Sequence, residues 1–111
     1  MADSEVDVRV VLSTCPDREA QRIAHGLVED GIAACVNIVT KLTSVYRWEG
    51  AIHEDKESLL FIKTTADRVN DLREALLTLH PYDVPELLVL DVDTEASNPG
   101  YVDWVRKCVK A

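Results

Sequence analysis

Basic charge is scarce in this 111-residue chain: twelve Lys and Arg stand against twenty Asp and Glu, for a formal net charge of −8. A surface of that sign repels phosphate backbones and anionic bilayers, and no stretch mixes Lys or Arg with aromatics. Nucleic acid and membrane are therefore not expected as partners. Cysteine is scarce too. Cys15, Cys35 and Cys108 lie far apart, are odd in number and form no C-x-x-C pair, so neither a disulfide framework nor a zinc ribbon is expected. Free thiols in a reducing cytoplasm are the simplest reading. No apolar run approaches the roughly 20 residues that span a bilayer. Met1-Ala2-Asp3-Ser4-Glu5 lacks the basic-then-apolar plan of a signal peptide, which points to a chain that stays in the cytoplasm. Catalytic signatures are also missing. There is no G-x-S-x-G, H-E-x-x-H or P-loop, and the chain does not read as an enzyme.

What is present is enough for one domain over residues 1–111. A hydrophobic fraction of 47% can build a core without staples, and no linker, repeat or low-complexity tract interrupts it. From Val6 to Ser13 apolar and polar residues alternate, the mark of a strand. Pro16-Asp17 opens a helix with Asp17 as its expected N-cap, and Ala20, Ile23, Ala24, Leu27 and Val28 form an apolar stripe. Gly31 fits the left-handed residue past its end. A long strand from about Ala34 to Glu49 puts Val36, Ile38, Leu42, Tyr46 and Trp48 on one face by strict alternation. Glu49-Gly50 turns the chain into a second long strand, Ala51 to Thr64, whose first half is polar on both faces and whose second half is apolar on both.

A second helix is expected from Ala66 to Leu79 with Thr65 as cap, then a strand from Glu86 to Val92. Asn98-Pro99 starts a C-terminal helix with Tyr101, Trp104, Val105 and Cys108 on its stripe. The order β-α-β-β-α-β plus a helix predicts an α+β, ferredoxin-like antiparallel sheet with a long β2-β3 hairpin. Strands of about 14 residues reach about 45 Å at 3.3 Å per residue, whereas a globule of this size is roughly 35 Å across. The hairpin should overhang its own domain by two or three residue pairs and carry Tyr46 and Trp48 with it. An exposed aromatic ribbon and a helix-free sheet face both call for shelter, which a closed homo-oligomer supplies.

The segments VLSTCPDREA, GIAACVNI, TSVYRWEGAI, ESLLFIKTT and HPYDVPELLVL, in this order over about residues 8–108, strongly resemble the CutA family of divalent-cation tolerance proteins. The resemblance implies a homotrimer joined by the hairpin, a role in tolerance to copper and other divalent metals, and a trimer like that of the PII signalling proteins, which hold small ligands between subunits. Some members have a Cys where Ser13 stands and a His where Leu79 stands, groups regarded there as metal ligands. The nearest candidates here are Cys15 and His80. Thiol and imidazole suit copper and zinc, but two donors fall short of the three or four a firm site needs.

Each candidate also has a plainer role. Cys15 sits where a helix dipole can lower a thiol pKa, or is simply a packed thiol. His80 is a ligand or a histidine whose nitrogens fix a turn. Lys63 is expected to pair with a carboxylate such as Glu86 or to meet an anionic ligand in an intersubunit cleft. Trp48 and Tyr82 either pack across an interface or stack on a ligand. Ser13 completes the cleft candidates, and the run from His53 to Glu57 reads first as a solvated strand face and second as a weak cation attractor.

Overall fold

The structure, a computed structural model, describes residues 6–109. The Met1–Glu5 segment read above for targeting lies outside the described residues. The element order is β1 (Val8–Cys15), α1 (Asp17–Glu29), β2 (Cys35–Trp48), β3 (Ala51–Thr65), α2 (Val69–Leu79), β4 (Leu88–Asp91) and α3 (Pro99–Cys108). The strands form one antiparallel sheet in the order β2-β3-β1-β4. This is the ferredoxin-like α+β arrangement predicted from the element order.

Alternation explains the central strands. Val11, Ser13 and Cys15 of β1 pair with Ile62, Leu60 and Ser58 of β3, and all six are fully buried. They meet Ala20, Ile23 and Leu27 of α1 and Leu72 and Leu76 of α2, so one sheet face and two helices make the main core. Burying a side chain of this size contributes about 1.5–3 kcal/mol. Val28 was expected on the α1 stripe but is 43% exposed. α3 covers one end of the opposite face, where Val102 and Val105 close over Val8 and Ala34. Its stripe therefore runs through Val102 and Val105, and Tyr101 and Trp104, expected inside, are each 44% exposed.

Several expected ends move. Asp17 is the first residue of α1 rather than its cap: Pro16 holds the cap position without a side-chain bond, and the Asp17 carboxylate reaches instead to Ser58 and Lys41. Gly31 does take the left-handed conformation, at φ 73°, and the N–H groups of Ile32 and Ala33 both return to the Leu27 carbonyl at 3.1 Å. Residues Ala66–Arg68 form a tighter turn before α2, and Thr65 bonds Asp67 instead of a backbone N–H. β4 is limited to Leu88–Asp91, because its pairing with β1 ends at Leu12↔Leu88. Asn98 caps α3 as expected, accepting from the Gly100 N–H at 3.0 Å.

The hairpin decides the shape. The molecule measures 50 × 27 × 22 Å, so the long axis exceeds a compact globule in the way the strand lengths require. Glu49 and Gly50 both adopt positive φ, at 51° and 81°, the geometry a two-residue turn needs to match strand twist. β1 stops opposite Ser58, so among the described residues β3 from Ala51 to Glu57 is paired on one side only.

A β-bulge between Val39 and Leu42 divides β2. Three steps along β2 match two along β3, so one extra residue is inserted, and Lys41 there has φ 62°. Before the bulge, Val36 and Ile38 pair with Ile62 and Leu60 on the core face; after it, Leu42, Tyr46 and Trp48 pair with Glu57, His53 and Ala51 on the opposite face. The expected common face for all five does not exist. Strict alternation fails because the inserted residue reverses the phase of everything beyond it.

Candidate functional site

The phase reversal sets Tyr46 and Trp48 on the same side of the hairpin as Glu57. The 80–87 segment, leaving α2 for β4, runs past the point where β1 ends. Between them lies a cleft of about 750 Å³, lined by Thr14 of β1, by Tyr46, Trp48 and Glu57 of the hairpin, and by Tyr82, Asp83 and Glu86 among others.

His80 fixes that segment. Its Nδ1 accepts the Tyr82 backbone N–H at 3.1 Å, which leaves Nε2 to carry the proton and donate to the Thr14 carbonyl at 2.7 Å. His80 is 7% exposed, and its ring tilts against Tyr82 with centroids 4.7 Å apart. Tyr82 then donates its hydroxyl to Glu57 Oε2 at 2.8 Å. Strand carbonyl, imidazole, phenol and carboxylate form one chain of contacts across three elements. Tyr46 donates its hydroxyl to Asp55 on the neighbouring strand.

The electrostatics are one-sided. Glu57, Asp83 and Glu86 line the cleft, and among the described residues no Lys or Arg does. Burial first, then the charge of Glu57, raises the Glu86 pKa. Burial, then the hydrogen bond to Glu57, raises that of Tyr82, which keeps the phenol a donor. Glu57 itself is 6% exposed, so its expected place on a solvated strand face is corrected. The loop packed over it by His80 removes it from bulk water.

The expected site residues divide by position. Trp48, Tyr82 and Glu86 come together in the cleft. Ser13 faces the core, fully buried, and its hydroxyl has no hydrogen-bond partner among the described residues. Lys63 does not pair with Glu86; its Nζ donates to Asn37 and meets the Tyr101 hydroxyl at 3.5 Å, with the ring centroid 5.8 Å away. Cys15 is fully buried, and its thiol is pushed up to about 11, mainly by burial and then by the charges of Glu57, Asp17 and Glu19. Of the two readings of Cys15, burial favours the packed thiol over the dipole-lowered one. Neither His80 nitrogen has a free lone pair, and among the described residues no three His, Cys, Asp or Glu side chains come together to hold a metal ion.

Asp83, Tyr46 and Thr14 were not singled out by the sequence as site residues, and Glu57 only as part of a run read second as a weak cation attractor. The signal for the hairpin residues was the bulge, and no glycine marks it.

The family description "CutA1 divalent ion tolerance protein" matches residues 9–108. The chain belongs to that family. It is 50% identical over 99 residues to the divalent-cation tolerance protein CutA of Thermus thermophilus, covering 88% of this chain and 94% of the relative. A solved structure of the Thermus thermophilus divalent cation tolerance protein superposes with a TM-score of 0.88 at 46% identity, over 93% of this chain and 99% of that one. A structure titled PII-like protein CutA, from Nostoc, gives 0.88 at 34% identity over 92% and 97%. The CutA homolog of Xenopus laevis is longer: 47% identity extends over 83% of this chain but 60% of that protein. Among the described residues no helix is long and apolar enough to cross a membrane. Names within the CutA family include chloroplastic and periplasmic members, so its compartments vary.

Proposed function

We propose that this chain is a non-enzymatic, cytoplasmic homotrimer that contributes to divalent-cation tolerance by taking positively charged ligands in the acidic cleft at the hairpin root. The observation that carries the reading is the set of three carboxylates, Glu57, Asp83 and Glu86, in a cleft that no basic side chain lines among the described residues. Such a site concentrates cations by its field. With no three ligands converging among the described residues, divalent ions, copper included, bind weakly. The His80 imidazole serves copper only if its bonds to Thr14 and Tyr82 open, and the Cys15 thiol is held in the main core.

Assembly is supported by the unpaired β3 edge, by exposed Leu88 and Leu90 (56% and 44%) on the face left bare by α3, and by the CutA family. The number three rests on the family. A second reading, a PII-like regulator holding a small molecule between subunits, is favoured by the cleft volume, which falls in the usual range of ligand pockets. An anionic ligand does not suit it, since Lys63 is engaged elsewhere.

Sedimentation equilibrium at micromolar concentration is expected to give three chains per particle. Calorimetric titration of the reduced protein with Cu(II), Cu(I) and Zn(II) is expected to show weak saturable binding that Glu57→Gln and Glu86→Gln reduce. A stable single chain, or no saturable heat with any ion, defeats the proposal. Binding lost in Cys15→Ala or His80→Ala but intact in Glu57→Gln moves the cation site to the thiol and imidazole.

A further inference from the structure

The cleft holds a largely buried carboxylate with a single described donor. Glu57 is 94% shielded from solvent (6% exposed), yet Tyr82 is its one donor among the described residues, and it donates to Oε2 alone. Oε1 has no hydrogen-bond partner among the described residues, and Glu57 lines the cleft. No described ion pair includes Glu57, Asp83 or Glu86. An isolated carboxylate in such surroundings is costly unless a positive group meets it.

A bare metal ion answers that demand poorly. It needs several donors converging on one point at short range, and the described residues offer no such group of three. The rest of the lining is of a different kind. Tyr46, Trp48 and Tyr82 bring aromatic rings to the cleft, with Val84 and Pro85 adding apolar surface. Tyr and Trp rings attract a cation over their faces, most effectively when its charge is spread over alkyl groups and is weakly hydrated. Carboxylates for the charge and rings for the carbon around it describe one ligand class.

We propose that the cleft binds a small organic ammonium ion, its charge set against Glu57 Oε1 and Glu86 and its alkyl groups against Trp48, Tyr46 and Tyr82. This rests on reading the cleft as the cation site and names the class of its occupant. His80 and Thr14 act as positioning groups: they hold Tyr82 so that its hydroxyl occupies one oxygen of Glu57 and leaves the other for the ligand.

The test is calorimetric titration of the full-length, assembled protein with choline and with putrescine, one quaternary and one primary amine, with Zn(II) run in parallel. Saturable binding of at least one amine is expected, weakened about tenfold or more in Glu57→Gln and in Trp48→Ala. Glu57→Gln keeps an acceptor for Tyr82, and Trp48 is half exposed, so neither change is expected to unfold the domain; circular dichroism checks the fold of both and sedimentation their assembly. No saturable heat with either amine, or equal binding in both variants, overturns the proposal. If amines are silent while Zn(II) binds in a Glu57-dependent way, the cation-site reading stands and the ammonium proposal falls; if neither binds, both fall. Amine binding that appears only in Lys63→Met also overturns it, because a neighbouring copy's lysine then fills the cleft.

Discussion

The two halves of the β2-β3 hairpin are built from similar strand residues but meet different surroundings. At the root, Leu60 and Ile62 are fully buried between β1 and the two helices. Toward the tip, Val45 and Ile52 are 64% and 66% exposed and Trp48 is 51% exposed, although their side chains are as apolar. The root spends its hydrophobic surface inside the subunit, and the tip has nothing of its own to spend it on. Intrinsic strand propensity therefore does not distinguish them; the presence of a covering layer does.

The largest expected effect lies at the root. Leu60→Ala should lose about 2–5 kcal/mol of stability by chemical denaturation, from lost transfer energy plus the cavity it leaves. A loss below about 1 kcal/mol would show that the core relaxes around it and weaken the contrast. At the tip, the paired change Val45→Asp and Ile52→Asp should leave the far-ultraviolet spectrum of the chain intact but shift sedimentation toward smaller species at micromolar concentration. An unchanged particle mass would mean that the tip is not where copies meet.

The smallest effect is expected at the boundary between the halves. Asp17 Oδ1 accepts from Ser58 Oγ at 2.5 Å and from the Lys41 N–H at 3.2 Å, so it ties the bulge to β3 and to the start of α1. Its pKa is lowered from the usual 3.8, chiefly by the Ser58 bond. The folded value lies below the unfolded one, so the stabilisation is complete above the unfolded pKa and is lost as pH falls through the folded pKa. Asp17→Asn should flatten the acid limb of a stability-against-pH curve measured between about pH 5 and pH 2. An acid limb identical to the parent would place the clamp's contribution elsewhere.

Much of this was legible in the sequence. Element order, the overhang and the Glu49-Gly50 turn follow from periodicity, strand reach and turn chemistry, because each depends on near neighbours in the chain. The cleft was only partly legible. Trp48, Tyr82 and Glu86 were named, but as an assortment with Lys63 and Ser13, which the fold sends to other places. The decisive event is a single inserted residue around Lys41, and no glycine or proline announces it. Likewise, the burial of Glu57 comes from a segment some 25 positions away whose course is set by the hydrogen bonds of His80. Long-range covering of a polar strand has no local signature.

The bulge also gives the hairpin a grammar of length. Adding or removing two residues at a time from each strand beyond it would lengthen or shorten the arm while each side chain kept its side. Dropping one residue from each strand would turn Tyr46 and Trp48 over together and bring Val45 and Arg47 to the side of Glu57. Arm length is thus free to drift between relatives, whereas the parity of the count from Leu42 to the turn is not.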